Sequence, residues 1–161
     1  MGYGDLRKGR HSAPGQEYLL TTVCTRRQPL FENRHNAETL IDELRHLQAH
    51  GYIEWLAWVL MPDHLHALGS LTGTLPLSGL MQRLKGRSSR ALGGSVWQPG
   101  FHDHALRAEE DRAAIARYMV ANPVRAGLVS SLRDYPYWYC QWFRTGDDPD
   151  ELLWAKHDQP R

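Results

Sequence analysis

The sequence His64-Leu65-His66 follows directly on Met61-Pro62-Asp63. On an extended strand, residues two apart share a face, so both imidazoles project together while Leu65 turns the other way. Two converging imidazoles make half of a divalent-metal site, and neutral histidine is the commonest metal ligand. Paired histidines on a strand also occur as plain surface or hydrogen-bonded residues. A second constellation is Tyr118 with Asn122, four residues apart and therefore on one side of a helix. A tyrosine beside a metal can attack a phosphodiester, because the metal polarises the phosphate and stabilises the charge that develops. The asparagine offers a carbonyl oxygen that could complete the coordination. Taken alone, this pair reads more simply as a core tyrosine and a helix C-cap before Pro123.

These residues need elements to hold them. Tyr18 to Thr25 is rich in β-branched and aromatic residues and predicts a strand. Asn36 to His50 places Leu40, Ile41, Leu44 and Leu47 at helical spacing, with Asn33 or Asn36 as N-cap and Gly51 as stop. Tyr52 to Met61 and His64 to Leu71 predict two strands of an antiparallel hairpin joined at Pro62-Asp63. Leu77 to Leu92 is a basic amphipathic helix, with Leu77, Leu80, Met81 and Leu84 on one face and Gly93-Gly94 as its end. Phe101 to Arg107 predicts a short strand. Glu109 to Ala121 predicts a helix, with Glu109, Glu110 and Asp111 in its first turn complementing the dipole. Asn122-Pro123 closes or kinks it. This order is that of a ferredoxin-like α+β domain with an antiparallel sheet and helices packed on it. It divides into a loose arm at 1–16, a single domain at 17–130 and an aromatic, acidic tail at 131–161, read as a flap over the domain or its ligand site.

The 161-residue chain has a formal net charge of +1, 42% hydrophobic and 23% charged residues, an ordinary globular composition with enough length for one core. No apolar run follows the basic N-terminus as a signal peptide requires, and none approaches a membrane span. Cys24 and Cys140 are too few for a disulfide scaffold and read as packing residues. The expected setting is therefore reducing and cytoplasmic. Charge is uneven: Arg83, Lys85, Arg87, Arg90 and Arg107 face the lone acid Asp103 between residues 76 and 107, whereas 134–161 is net acidic. A basic middle of this kind suggests a polyanion partner, although charge alone often means only a solvated face.

MPDHLHAL, the Trp97-Gln98 pair, FHDHALR and YMVANPVRAGLV, in this order, resemble the single-tyrosine HUH transposases (the IS200-like family), and among them the REP-associated tyrosine transposases. The resemblance covers residues 17 to 130. It implies that His64 and His66 are ligands for Mg2+ or Mn2+, that Tyr118 is a nucleophile forming a 5′-phosphotyrosine link to single-stranded DNA, and that Asn122 is a third metal-coordinating side chain. Insertion-sequence members carry Gln at that last position, so the Asn favours the REP-associated branch. The implied partner is single-stranded DNA with a hairpin from a repetitive palindromic element, and the implied assembly is a monomer or a homodimer.

Chemistry fits that role. The tyrosine ester conserves the bond energy, so strand transfer needs no ATP, and a phenol with a reference pKa of about 10 must give up its proton to some base. Phosphate contacts are expected from Arg83, Lys85, Arg87 and Arg90 along one helix, from Arg26 and Arg27 after the first strand, and from Arg125 beyond the tyrosine helix. His104 and Asp103 are candidates to orient the site. The expected activity is a metal-dependent endonuclease and strand transferase. The competing expectation, from a different class, is a hairpin-binding protein without cleavage.

Overall fold

The computed structural model describes residues 13–144 and 146–154. Five strands form one antiparallel sheet in the order β4-β1-β3-β2-β5: β1 Glu17–Val23, β2 Ile53–Met61, β3 His64–Leu71, β4 His102–Ala105 and β5 Trp138–Cys140. The first four follow the ferredoxin-like order. Helices α1 Arg34–Ala49 and α2 Leu77–Ala91 cover one face, and α3 Arg112–Val120 covers the other, followed by α4 Asn122–Arg125 and α5 Pro149–Trp154.

Strand alternation sorts the side chains of β3 between these layers. Leu65, Ala67 and Leu71 join the core beneath α1 and α2, where full burial stabilises by about 2 kcal/mol for a leucine. Leu68 joins the smaller core beneath α3, so His64 and His66, which share its parity, face that side. A bulge in β2 between Trp55 and Ala57 turns Leu56 and Ala57 together onto the α3 face. Helix α1 begins where the Asn33 side chain accepts from the Asn36 N–H and ends at Gly51, whose φ of 74° suits glycine. Trp55, Trp58 and Trp97 are buried, with the Trp55 indole donating to the Leu44 carbonyl at 2.8 Å and that of Trp97 to Ser88 Oγ at 2.8 Å. Both thiols are buried and unbonded, and burial pushes Cys24 up to about 12.

Three expectations need correction. The tail is no flap: β5 pairs with β2 in register, Ala57 opposite Cys140 and Val59 opposite Trp138, because the edge of β2 offers unpaired backbone groups. Trp138, Trp142 and Phe143 pack onto the α3 core, and the side chain of Trp154 lies outside the described residues. Glu109 and Glu110 precede α3 instead of lining its first turn, since Asp111 is the N-cap, accepting from the Ala114 N–H at 3.0 Å. Of the expected loose arm, residues 1–12 lie outside the described residues, while Gly15 and Gln16 are tied to Leu71 by backbone hydrogen bonds of 2.7 and 3.0 Å. No helix among the described residues is long and apolar enough to cross a membrane.

Candidate active site

The two imidazoles stand edge to face on β3, their centroids 4.6 Å apart at 82°. Each has its Nδ1 engaged. His64 Nδ1–H donates to Asp63 Oδ1 at 2.6 Å, and His66 Nδ1 meets Thr21 Oγ1 at 2.8 Å, the residue opposite it on β1. With Nδ1 as the donor in both rings, each Nε2 keeps its lone pair for a ligand. Burial, the charge of His64 and the charge of Arg125 push His66 down to about 4, so the ring stays neutral above that pH. Burial alone would raise the Asp63 carboxyl, but the His64 hydrogen bond and charge and the Arg27 guanidinium outweigh it and leave Asp63 below its usual value.

Tyr118 reaches the same face from α3. It is half exposed, at 50%, because that edge of the helix overhangs a cavity of about 400 Å³ lined by Thr21, His66, His104, Glu110, Tyr118, Asn122 and Arg125 among others. Asn122 also lines a second cavity with His64, Asp63 and Arg27, so this one residue borders both the cavity of His66 and that of His64. The sequence predicted Tyr118 and Asn122 on one helix, but α3 stops at Val120 and α4 begins at Asn122. Ala121 keeps near-helical angles, and so both side chains still reach the cavity. The Arg125 guanidinium carbon lies 3.7 Å from the Tyr118 ring centroid, and its Nη1 donates to the Tyr118 carbonyl.

Among the described residues no group of three His, Cys, Asp or Glu side chains is placed to hold a metal. The side chains bordering the cavities that could serve as donors are instead the imidazoles of His64 and His66 and the amide of Asn122. Those side chains suit a divalent cation with positions left open for phosphate and water, and the Nδ1 contacts to Asp63 and Thr21 hold the two rings in place.

The remaining predicted residues divide by face. His104 lines the cavity, its Nε2 donating to the Glu110 carboxylate at 2.9 Å. Asp103 sits opposite Leu20, on the α1–α2 side of the sheet, and so cannot orient the histidines. Alternation along β4 separates these neighbours. Arg83, Lys85, Arg87 and Arg90 all lie on α2, across the sheet from Tyr118. Lys85 donates to the carbonyls of Gln98 at 2.8 Å and Gly100 at 2.5 Å, Arg87 pairs with Glu43 at 2.7 Å, and Arg83 lies over the Tyr52 ring at 4.8 Å. Arg90 shares a shallow surface groove with Arg83 and Arg87.

Arg26 and Arg27 follow β1 with φ of 54° and 51°, left-handed angles that non-glycine residues adopt at a cost of about 1–2 kcal/mol each. Backbone bonds of 2.8 Å from Cys24 to the Asp63 carbonyl and from Thr25 to that of Val96 hold the strained turn. Its product is Arg27 Nη1 at 3.4 Å from Asp63 Oδ2. Sequence reasoning missed Asp63, Thr21 and Glu110 as supports. The Asp-His adjacency signals the first, whereas the other two follow only from register and chain reversal.

Residues 13–120 match the family model described as transposase IS200 like, a span that includes both histidines and Tyr118. The chain is 34% identical over 83 residues to the REP-associated tyrosine transposase of Escherichia coli K12, half of each chain, and so spans half the length of that relative. To the ISDra2 transposase TnpA of Deinococcus radiodurans it is 30% identical over 128 residues, 71% of this chain and 89% of that one. A solved structure of a REP-associated tyrosine transposase bound to a REP hairpin superposes with a TM-score of 0.69 and 27% identity, over 80% of this chain and 79% of that one. With its strand order, the facing histidines and tyrosine, and two thirds of its length matched to one family, the chain belongs to the IS200-like transposases.

Proposed function

We propose that this chain is a metal-dependent endonuclease and strand transferase that cuts single-stranded DNA beside a repeat hairpin through a 5′-phosphotyrosine intermediate. The observation that carries the reading is the single cavity lined by His66, Asn122 and the half-exposed Tyr118. The hairpin in the neighbouring solved transposase supports the class of substrate.

The chain's own residues have separable tasks. Tyr118 Oη attacks the phosphorus and becomes esterified, releasing a 3′-hydroxyl. His64, His66 and Asn122 would hold Mg2+ or Mn2+, which when bound supplies positive charge at the scissile phosphate. Asp63 and Thr21 fix the two ring orientations. Helix α3 anchors the tyrosine through Ala116, Met119 and Val120 beneath it. Acting on chromosomal repeats, such a protein works in the cytoplasm beside the nucleoid, as a monomer or homodimer.

The test is incubation with labelled single-stranded hairpin oligonucleotides and Mn2+, resolved on a denaturing gel. A slow protein–DNA adduct, absent with Tyr118→Phe and with excess chelator, is expected. A hairpin shift on a native gel with no adduct would replace this reading by a non-cutting binder.

A further inference from the structure

Arg125 differs from the other arginines around the site. Arg27 and Arg112 hold the carboxylates of Asp63 and Glu17, and Arg87 across the sheet holds Glu43. Among the described residues no carboxylate is in ion-pair range of Arg125. Its guanidinium lies on the Tyr118 ring, 3.7 Å from the centroid, tethered by the Tyr118 carbonyl. It stands three residues after Asn122, hence on the same side of α4, and lines the cavity together with Asn122 and His66.

A cation that faces a cation-binding site across a cavity is repelled unless an anion lies between them. A phosphodiester is such an anion. It carries one negative charge in the ground state, and displacement at phosphorus concentrates further charge on its non-bridging oxygens. The planar guanidinium fork matches two such oxygens, as a lysine ammonium cannot.

Building on the tyrosine-nucleophile reading, we propose that Arg125 is a catalytic residue whose guanidinium binds the non-bridging oxygens of the scissile phosphate and neutralises the charge that develops as Tyr118 attacks. The Tyr118 Oη–P bond forms as the P–O3′ bond breaks. The phenolic proton passes to solvent, the 3′ oxygen takes one from solvent and leaves as a hydroxyl, and the phosphotyrosine diester keeps a single negative charge. Arg125 itself exchanges neither proton nor bond. Stacked on the ring, it holds nucleophile and phosphate site at one fixed separation.

The experiment compares hairpin oligonucleotides carrying either an ordinary phosphodiester or a neutral methylphosphonate at the scissile position, with adduct formation followed in Mn2+. Arg125→Ala is expected to slow adduct formation on the phosphodiester on the order of 10²–10³-fold while keeping the native-gel hairpin shift. On the methylphosphonate that defect should largely vanish, because the charge it answers is gone. Arg125→Lys, which keeps charge and loses the fork, should fall between wild type and Arg125→Ala. An equal defect on both substrates would make Arg125 a support for the tyrosine ring only and overturn the proposal, as would an unimpaired Arg125→Ala. Failure of the underlying reading looks different: the wild-type protein itself would then form no adduct on either substrate.

Discussion

The Asp63 carboxylate joins His64 to Arg27: Oδ1 accepts from His64 Nδ1–H at 2.6 Å and Oδ2 from the Arg27 guanidinium at 3.4 Å. One acid at the hairpin turn therefore fixes the tautomer and tilt of a ring proposed to bind the metal. Asp63→Asn should weaken Mn2+ binding 10- to 100-fold, the usual effect of removing such a support, as read by titration calorimetry. Unchanged affinity would take His64 out of the ligand set.

His66 gives the metal-free fold a definite acid response. Its folded pKa is about 4, below the unfolded value of about 6.5, so between these limits the unfolded chain binds the proton and the folded chain does not. Stability is complete above pH 6.5 and is lost as pH falls towards 4, by about 3 kcal/mol. The carboxyls of Asp63, Glu110 and Asp148 are also held below their ordinary values. Urea midpoints in chelator at pH 7 and 4.5 should differ accordingly, and His66→Gln should flatten the difference. A wild-type midpoint that does not move would mean that the ring is not held neutral.

Lys85 was expected to touch DNA, yet its ammonium is committed to the carbonyls of Gln98 and Gly100. Lys85→Met should cost about 2 kcal/mol of stability, since charged hydrogen bonds to carbonyls are lost. The salt dependence of hairpin binding should stay as it was. A shallower slope in a binding series from low to high salt would restore Lys85 to the phosphate contacts.

Thr22 is 1% exposed, and its hydroxyl finds no hydrogen-bond partner among the described residues. Valine has the same shape, suits a strand and buries no polar group. Thr22→Val should raise stability by about 1 kcal/mol in chemical denaturation. A loss instead would reveal a partner for the hydroxyl.

The first four strands, the main helices and the shared face of His64 and His66 were legible because period-two and period-3.6 patterns are local. So was the hairpin, closed by two residues with Met61 opposite His64. What escaped was long-range or competitive. The residues of β5 carry no alternation long enough to separate a strand from a flap, and only the free edge of β2 selects between them. Glu110 fits a helix start by type, yet the Arg107 N–H and His104 claim its carboxylate and α3 starts later. Basic residues on α2 read alike whether they face DNA, a carboxylate or a carbonyl, because sequence does not record which face of the sheet a helix covers.

The two halves of the site also differ in how firmly the fold holds them. β3 is hydrogen-bonded along its length to β1 on one side and β2 on the other, so the amides of the histidine strand exchange with solvent only when the whole domain opens. Tyr118 rides on a helix of nine residues that gives way at Ala121 to the four residues of α4, short elements expected to open at lower free energy than a strand paired on both sides. The segment bearing Tyr118 is therefore expected to open and close while the strand bearing the imidazoles stays paired, and amide exchange would register the two as separate cooperative units.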